Sequence, residues 1–301
     1  MKQVMTAAVL ACGLWVGAAC AQDGQDAADA AKTQALLASL HFQTGDIALE
    51  KAGAHLHVQP GFRYLGHDDT RRVLEDLWGN PPDDDVLGLL VPDAAPLNSE
   101  HGWAVVVTFS DDGFVSDEDA AKINYADLLK EMQTSTHDDN ADRKKEGYPT
   151  MELAGWAQPP SYDAVGKRLY WAKDFSVEGE TAHTLNYDIR VLGREGYLSL
   201  NALSSIDDLG VVKQGMTQVL PMAEFDSGHR YADYKAGSDK LAAYGLAALI
   251  GGGVAAKAGL FGKLGLLLLG LKKFIIIGIA AIGAAIKKLF GGKGKGGGTV
   301  Q

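Results

Sequence analysis

Residues 183–203 read HTLNYDIRVLGREGYLSLNAL. Two β-rich runs, His183–Gly193 and Tyr197–Leu203, flank Arg194-Glu195-Gly196, a short polar connection ending in glycine that suits a hairpin. Strands joined this closely pair antiparallel, because a parallel pair needs a crossover of a dozen residues or more. Working outward, Met151–Gln158 and Arg168–Phe175 are β-rich, as are Val86–Val91 and Trp103–Phe109 around a polar loop. Nearer the N-terminus, Ile47/Leu49 and Leu56/Val58 alternate on either side of Gly53, a further hairpin, and Pro60-Gly61 turns the chain into Phe62–Leu65. There is no βαβ alternation and no internal repeat. The expected fold is α+β: a mainly antiparallel sheet with flanking helices, gathered on one side.

Three helices are expected within this frame. Asp68, Asp69 and Thr70 offer an N-cap to a short helix carrying Val73, Leu74 and Leu77 on one side, and Gly79-Asn80-Pro81-Pro82 stops it. Ser116-Asp117-Glu118-Asp119 is close to a capping box and opens a helix to about Glu146, with Gly147 as C-cap. Its inner face is Tyr125, Leu128, Leu129 and Met132, while His137–Glu146 is polar and is expected to face water. A helix over Asp207–Val219 and a short run to Phe225 close the domain. This element order resembles small α+β domains of the photosystem-assembly and Ran-binding type.

Charge divides the chain. All 38 acidic residues lie at or before Asp239, whereas Lys240–Gln301 holds nine lysines and no acid. Residues 1–21 read as a secretory signal: Lys2, the apolar run Val4–Ala19, and Ala19-Cys20-Ala21 as a cleavage site, the alternatives being an uncleaved anchor and a lipoprotein acylated at Cys20. Cys12 and Cys20, the only cysteines, leave with it, so the mature chain is expected to lack disulfides and thiol chemistry. Residues 22–39 are expected to form a linker or a short amphipathic helix, 40–238 an exported acidic domain, 241–290 a membrane-associated helical segment, and 291–301 a flexible basic glycine-rich tail. Between Gln22 and Asp239 the net charge is −20, which repels nucleic acid and anionic headgroups.

Two apolar stretches in the tail, Leu241–Gly262 and Leu264–Ile286, reach the roughly 20 residues a membrane span needs. Lys272-Lys273 sits near the middle of the second, and each lysine there costs about 2.5–3.5 kcal/mol on insertion scales. Leu and Ile, worth about 0.3–0.6 kcal/mol apiece, offset that cost. Lys287, Lys288, Lys293 and Lys295 are then expected inside, which requires one net crossing; a two-helix hairpin is the alternative. Gly251, Ala255 and Gly259 form a small-xxx-small row that permits close helix packing, or simply a small-residue stretch.

Chemistry is sparsely signalled. There is no G-x-S-x-G elbow, no H-E-x-x-H and no phosphate-binding glycine loop, so no catalytic residue is nominated and no cofactor is implied. His55-x-His57 places two imidazoles on one side of a strand, a candidate metal pair without an identifiable third ligand, or an ordinary exposed face. Asp83-Asp84-Asp85 and Asp111-Asp112-Gly113 carry oxygens suited to calcium but miss the EF-hand spacing, and solvated acidic turns are the simpler reading. Trp78-Gly79-Asn80 is either an aromatic-edged binding loop, with Trp78 and Asn80 as contacts beside Asp111 and Asp112, or a helix stop with the tryptophan in the core. His229-Arg230-Tyr231 either meets headgroups or makes the last turn of the domain.

Four strings carry a family resemblance: PGFRYLGHDDTRRVLEDLWGNPPDDDVLGLLVP, WAVVVTFSDDGFVSDEDAAKINYADLLKEMQ, LNYDIRVLGREGYLSLNA and GHRYADYKAGSDKLAAYGLAALI. Together they resemble domain-of-unknown-function family 2167, a group of predicted membrane-anchored bacterial proteins, from about residue 40 to the tail. The resemblance implies a bacterial, exported, membrane-associated protein and carries no activity and no site residues. The expected place is the inner membrane, with the domain in the periplasm and the basic tail in the cytoplasm. The expected partners are the bilayer, through the C-terminal segment, and an envelope protein. The functional expectation is a non-enzymatic interaction or membrane-integrity component, the alternatives being a small-ligand or metal-binding sensor and a hydrolase without a recognisable motif.

Overall fold

The structure, a computed structural model, describes residues 30–80, 82–99, 101–145 and 147–251. It divides into two compact units, Met1–Leu40 and His41–Gln301. Of the first, the described part is one helix, α1 (30–38). The expected signal peptide and the stretch Leu264–Ile286 lie outside the described residues. Among the described residues no helix is long and apolar enough to cross a membrane.

The described residues of the second unit form two sheets. In chain order the strands are β1 (Phe42–Gln43), β2 (Gly45–Leu49), β3 (Ala54–Val58), β4 (Phe62–Gly66), β5 (Val86–Pro92), β6 (Ala104–Ser110), β7 (Met151–Asp163), β8 (Arg168–Val177), β9 (Thr184–Leu192), β10 (Tyr197–Ser205) and β11 (Ala223–Phe225). The large sheet runs β1-β4-β5-β6-β10-β9-β8-β7, the small one β11-β3-β2, with every pairing antiparallel. The helices are α2 (His67–Arg71, continued by a π-helical turn Arg72–Leu77), α3 (Tyr125–Lys145), α4 (Leu209–Val219) and α5 (Leu246–Gly251). The β9–β10 hairpin supplies the centre, pairing Tyr197 with Leu192 and Ser205 with Thr184. Its turn needs glycine: a Cβ on Gly196 would overlap the Ser110 carbonyl of the neighbouring strand.

Alternation along the strands feeds two cores. Leu185, Tyr187, Ile189 and Val191 of β9 pack with Leu198, Leu200 and Ala202 of β10 under α4 (Val212, Met216, Val219) and the small sheet (Leu56, Ala223). On the other face Leu169, Trp171 and Phe175 of β8 pack with Met132 of α3 and with Leu246, Leu249 and Ile250 of α5. The helices therefore flank both faces, correcting the expectation of one side. The reason is the second sheet: strands β2, β3 and β11 take the place a helix layer would occupy, and α4 shares that face with them.

Several local expectations shift. The helix expected to start at Ser116 starts at Tyr125, where Asn124 Oδ1 accepts from the N–H groups of Ala126 (3.1 Å) and Asp127 (3.3 Å) as the true cap. Its C-terminus matches the expectation: Gly147, at φ +79°, donates to Lys144 O and Tyr148 donates to Arg143 O, a Schellman pair. The polar half of α3 does not simply face water. Asn140 is buried, and its amide clamps the edge strand β7, donating to Met151 O and accepting from Met151 N at 2.9 Å each. Asp68 and Asp69 lie in the first turn of α2 rather than at its cap, which is Gly66. Nor does the domain close at Phe225, since residues 226–251 pack on it and bury Ala242, Leu246, Leu249 and Ile250.

Candidate functional site

The segment after β11 is strapped to the sheet by contacts that no local pattern signals. Arg194, in the β9–β10 turn, makes a two-bond ion pair with Asp239 (2.7 and 2.9 Å) and holds its carboxyl far below the usual carboxylate range. Phe114 and Leu241 form a parallel bridge, with Phe114 N donating to Lys240 O and Ala242 N donating to Phe114 O. The Phe114 ring lies between Tyr231 and Tyr234, at 4.4 and 3.8 Å between centroids. Tyr244 donates to Asp112, and Asp119 accepts from the N–H groups of Leu246 and Ala247 at the start of α5.

The acids read as a capping box thus grip the strap instead. Asp117 Oδ2 accepts from Tyr162 (2.6 Å) and Lys167 (2.7 Å), and Oδ1 accepts from Tyr231 (3.0 Å). Burial alone would raise the Asp117 pKa, but these donors together hold it below its ordinary value. Burial and the same carboxylate push the Tyr162 and Tyr231 phenols up. Lys167 reaches Asp117 from a left-handed backbone (φ +53°), the sole positive φ among the described non-glycine residues.

A cavity of about 610 Å³ opens where the strap crosses the rim of the sheet. Its wall carries Lys51, Asp85, Asp111, Glu195, Asp239 and Lys240, with Phe109 and Leu87 as its apolar part. That volume lies within the roughly 300–1,000 Å³ of small-molecule sites. Asp239 is engaged by Arg194 and Glu195 by His229 at 3.2 Å. The surface suits polar, charge-bearing groups rather than lipid chains.

A second polar assembly lies inside the sheet. On β9, Thr184, Asn186, Asp188 and Arg190 point to the face opposite the first core, yet all four are buried. Directly across from Asp188 stand Trp171 on β8 and Asn201 on β10. Asp188 meets Arg190 at 3.0 Å, Lys173 at 3.2 Å and the Asn201 amide at 2.8 Å. Burial pulls its pKa up, but the two cations and the amide outweigh that and hold it below the ordinary value. Arg190 also lies over the rings of Trp171 and Tyr197, at 5.2 and 5.7 Å.

The residues singled out in the sequence do not converge. Trp78 is buried beside the end of α2, and Asn80 stops the helix by donating twice to Leu74 O. Asp111 lines the rim cavity, whereas the Asp112 carboxylate is taken by Tyr244. His55 and His57 lie side by side on β3, their rings 6.4 Å apart and nearly parallel. Each Nδ1 faces a carboxylate at 2.6 Å, Asp226 and Asp46 respectively. Two nitrogens binding one zinc at about 2.1 Å must approach within about 4 Å of each other, so rings in this arrangement do not share an ion. Among the described residues no group of three or more His, Cys, Asp or Glu is placed to hold a metal. All eight histidines are described, and each Nδ1 lies within 3.2 Å of a carboxylate or, for His67, of the Val86 carbonyl. His229 and Tyr231 pack into the domain through Glu195 and Asp117.

Comparison with known proteins adds little chemistry. The family described as Protein of unknown function (DUF2167) matches residues 41–283. No curated protein matches the chain. Among solved structures, the solution structure of cyanobacterial PsbP (CyanoP) from Synechocystis sp. PCC 6803 is similar at 13% identity, with a TM-score of 0.35, covering 62% of this chain and 92% of that one. The Saccharomyces cerevisiae Ran-binding protein Mog1p is similar at 10% identity and a TM-score of 0.33, covering 62% of this chain and 96% of its own.

Proposed function

Because the chain belongs to the DUF2167 family of proteins of unknown function, we propose a role from its own architecture: a non-enzymatic interaction component of the bacterial envelope. In this reading it is exported and tethered to the inner membrane by its C-terminal segment. The strap carries the proposal. Residues 226–251 are fastened to the sheet through Arg194–Asp239, Phe114–Leu241, Asp112–Tyr244 and Asp119–α5. The apolar, lysine-bearing stretch that follows thus starts from a fixed point on the domain, as a tether that positions a binding surface would require.

Cell fractionation tests the tether. The full chain is expected in the membrane fraction, resistant to alkaline carbonate and released by detergent, while a chain ending at Gly251 is expected in the soluble fraction. Release of the full chain by carbonate alone would overturn the proposal, since a segment crossing the bilayer is not stripped by charge reversal.

A further inference from the structure

We propose that the rim cavity binds a small zwitterion, an amino acid or short peptide with both ends unblocked, its carboxylate on Lys51 and its ammonium group on Asp111. The cavity forms where separate parts of the chain meet: the turn Glu50–Ala52, the start of β5, the end of β6, the β9–β10 turn and the strap. Long-range hydrogen bonds set these parts in place. Gly113 N donates to Glu195 O at 3.0 Å, Tyr64 donates to Leu87 O at 2.8 Å, and Lys240 Nζ donates to Asp111 O at 3.0 Å. Phe109 stands edge-on to Phe225, with 6.3 Å between ring centroids. A wall fixed in this way needs little further ordering when a ligand enters.

Charge selects the ligand. Asp239 is taken by Arg194 and Glu195 by His229, and Asp85 is engaged as well. The Lys51 ammonium and the Asp111 carboxylate have no hydrogen-bonding or ionic partner among the described residues, and they do not pair with each other. Opposite charges that share a cavity without meeting fit a molecule that carries the complement of both. A simple anion would meet Asp85, Asp111 and Glu195, and a simple cation would meet Lys51 and Lys240, so either charge alone is opposed.

Shape agrees with this. Leu87 and Phe109 give the body of the ligand an apolar surface to lie on. A volume of about 610 Å³ leaves room for more than one amino acid residue. Each residue adds at most about 3.6 Å between the charged ends, so chain length sets how well both ends are reached. The site uses the seated strap but not the membrane, so failure of the fractionation test leaves it intact.

Saturation-transfer difference NMR on the full chain in detergent, with empty micelles as the blank, compares glycine, diglycine and triglycine at fixed ionic strength. At least one of the three is expected to bind saturably. Blocking either end of that probe, as its N-acetyl or its carboxamide form, is expected to weaken binding about tenfold or more, the loss of one charge-assisted bond. Asp111→Asn is expected to lower the affinity of the free probe to that of its N-acetyl form, and Lys51→Gln to that of its carboxamide. Both side chains are exposed, so the fold is expected to survive these changes. The blocked probes test the wild-type chain even where a variant does not fold. No saturable binding by any of the three overturns the proposal, as does equal binding of free and blocked forms. Tighter binding of the carboxamide would mean a cation site, and tighter binding of the N-acetyl form an anion site; both also overturn it.

Discussion

Replacing Asp188 with alanine is expected to destabilise the protein by about 3–5 kcal/mol, the cost of leaving buried cations without their partner. That is a large share of the roughly 5–15 kcal/mol that holds a domain together, and far above the 0–1 kcal/mol of an exposed ion pair. Asp188 touches Lys173, Arg190 and Asn201 at once, so its removal strands all three. The pH dependence follows with a definite sign. The folded carboxyl titrates below its unfolded value of about 3.9. Its contribution is therefore complete above that unfolded value and is lost as pH falls through the lower, folded one. Urea unfolding of wild type and Asp188→Ala from neutral to acid pH checks both parts: the gap between them should narrow as acid protonates the wild-type group. A gap below about 1 kcal/mol at neutral pH would mean that the cations find water or other partners.

Leu246→Ala is expected to cost about 2–5 kcal/mol. Leu246 is fully buried in the core that α5 shares with Trp171, Phe175 and Met132. The sequence placed this leucine in a membrane-associated segment starting at 241, where truncation to alanine would leave the stability of the domain nearly unchanged. The structure gives it a different partner, since α5 packs against α3 and is capped by Asp119. Denaturant unfolding of the detergent-solubilised chain, read from tryptophan emission, separates the two. An effect within about 0.5 kcal/mol, as for a surface substitution, would mean that α5 is not part of the domain.

These two residues also mark where sequence reading stopped. The β9–β10 hairpin was legible because turn length and strand composition are local properties, and antiparallel pairing follows from them. The buried polar face was not. Thr184, Asn186, Asp188 and Arg190 alternate with Leu185, Tyr187, Ile189 and Val191, a period that equally describes a strand with one wet face. What buries the second face, α3 and α5, and that Lys173 of β8 joins Arg190 on Asp188, depend on residues far away in the sequence. The strap was hidden for the same reason: Asp239 finds Arg194 across 45 residues, and Asp112 finds Tyr244 across 132. Ser116-Asp117-Glu118-Asp119 has the composition of a helix cap, yet its acids serve long-range donors, and Asn124 caps the helix. The Trp78-Gly79-Asn80 string shows the reverse. Its helix-stop reading needs only local chemistry, and Asn80 stops the helix through Leu74, six residues back.

The most direct measurement of the account is cysteine accessibility in cells whose outer membrane has been opened. Single cysteines at Val165, which is 96% exposed, and at Gly292 are introduced into a chain lacking Cys12 and Cys20, then treated with a membrane-impermeant maleimide. Labelling at 165 with protection at 292 until the inner membrane is lysed is the predicted result: an exported domain and one net crossing. Protection at 165, or labelling at both positions, would contradict it.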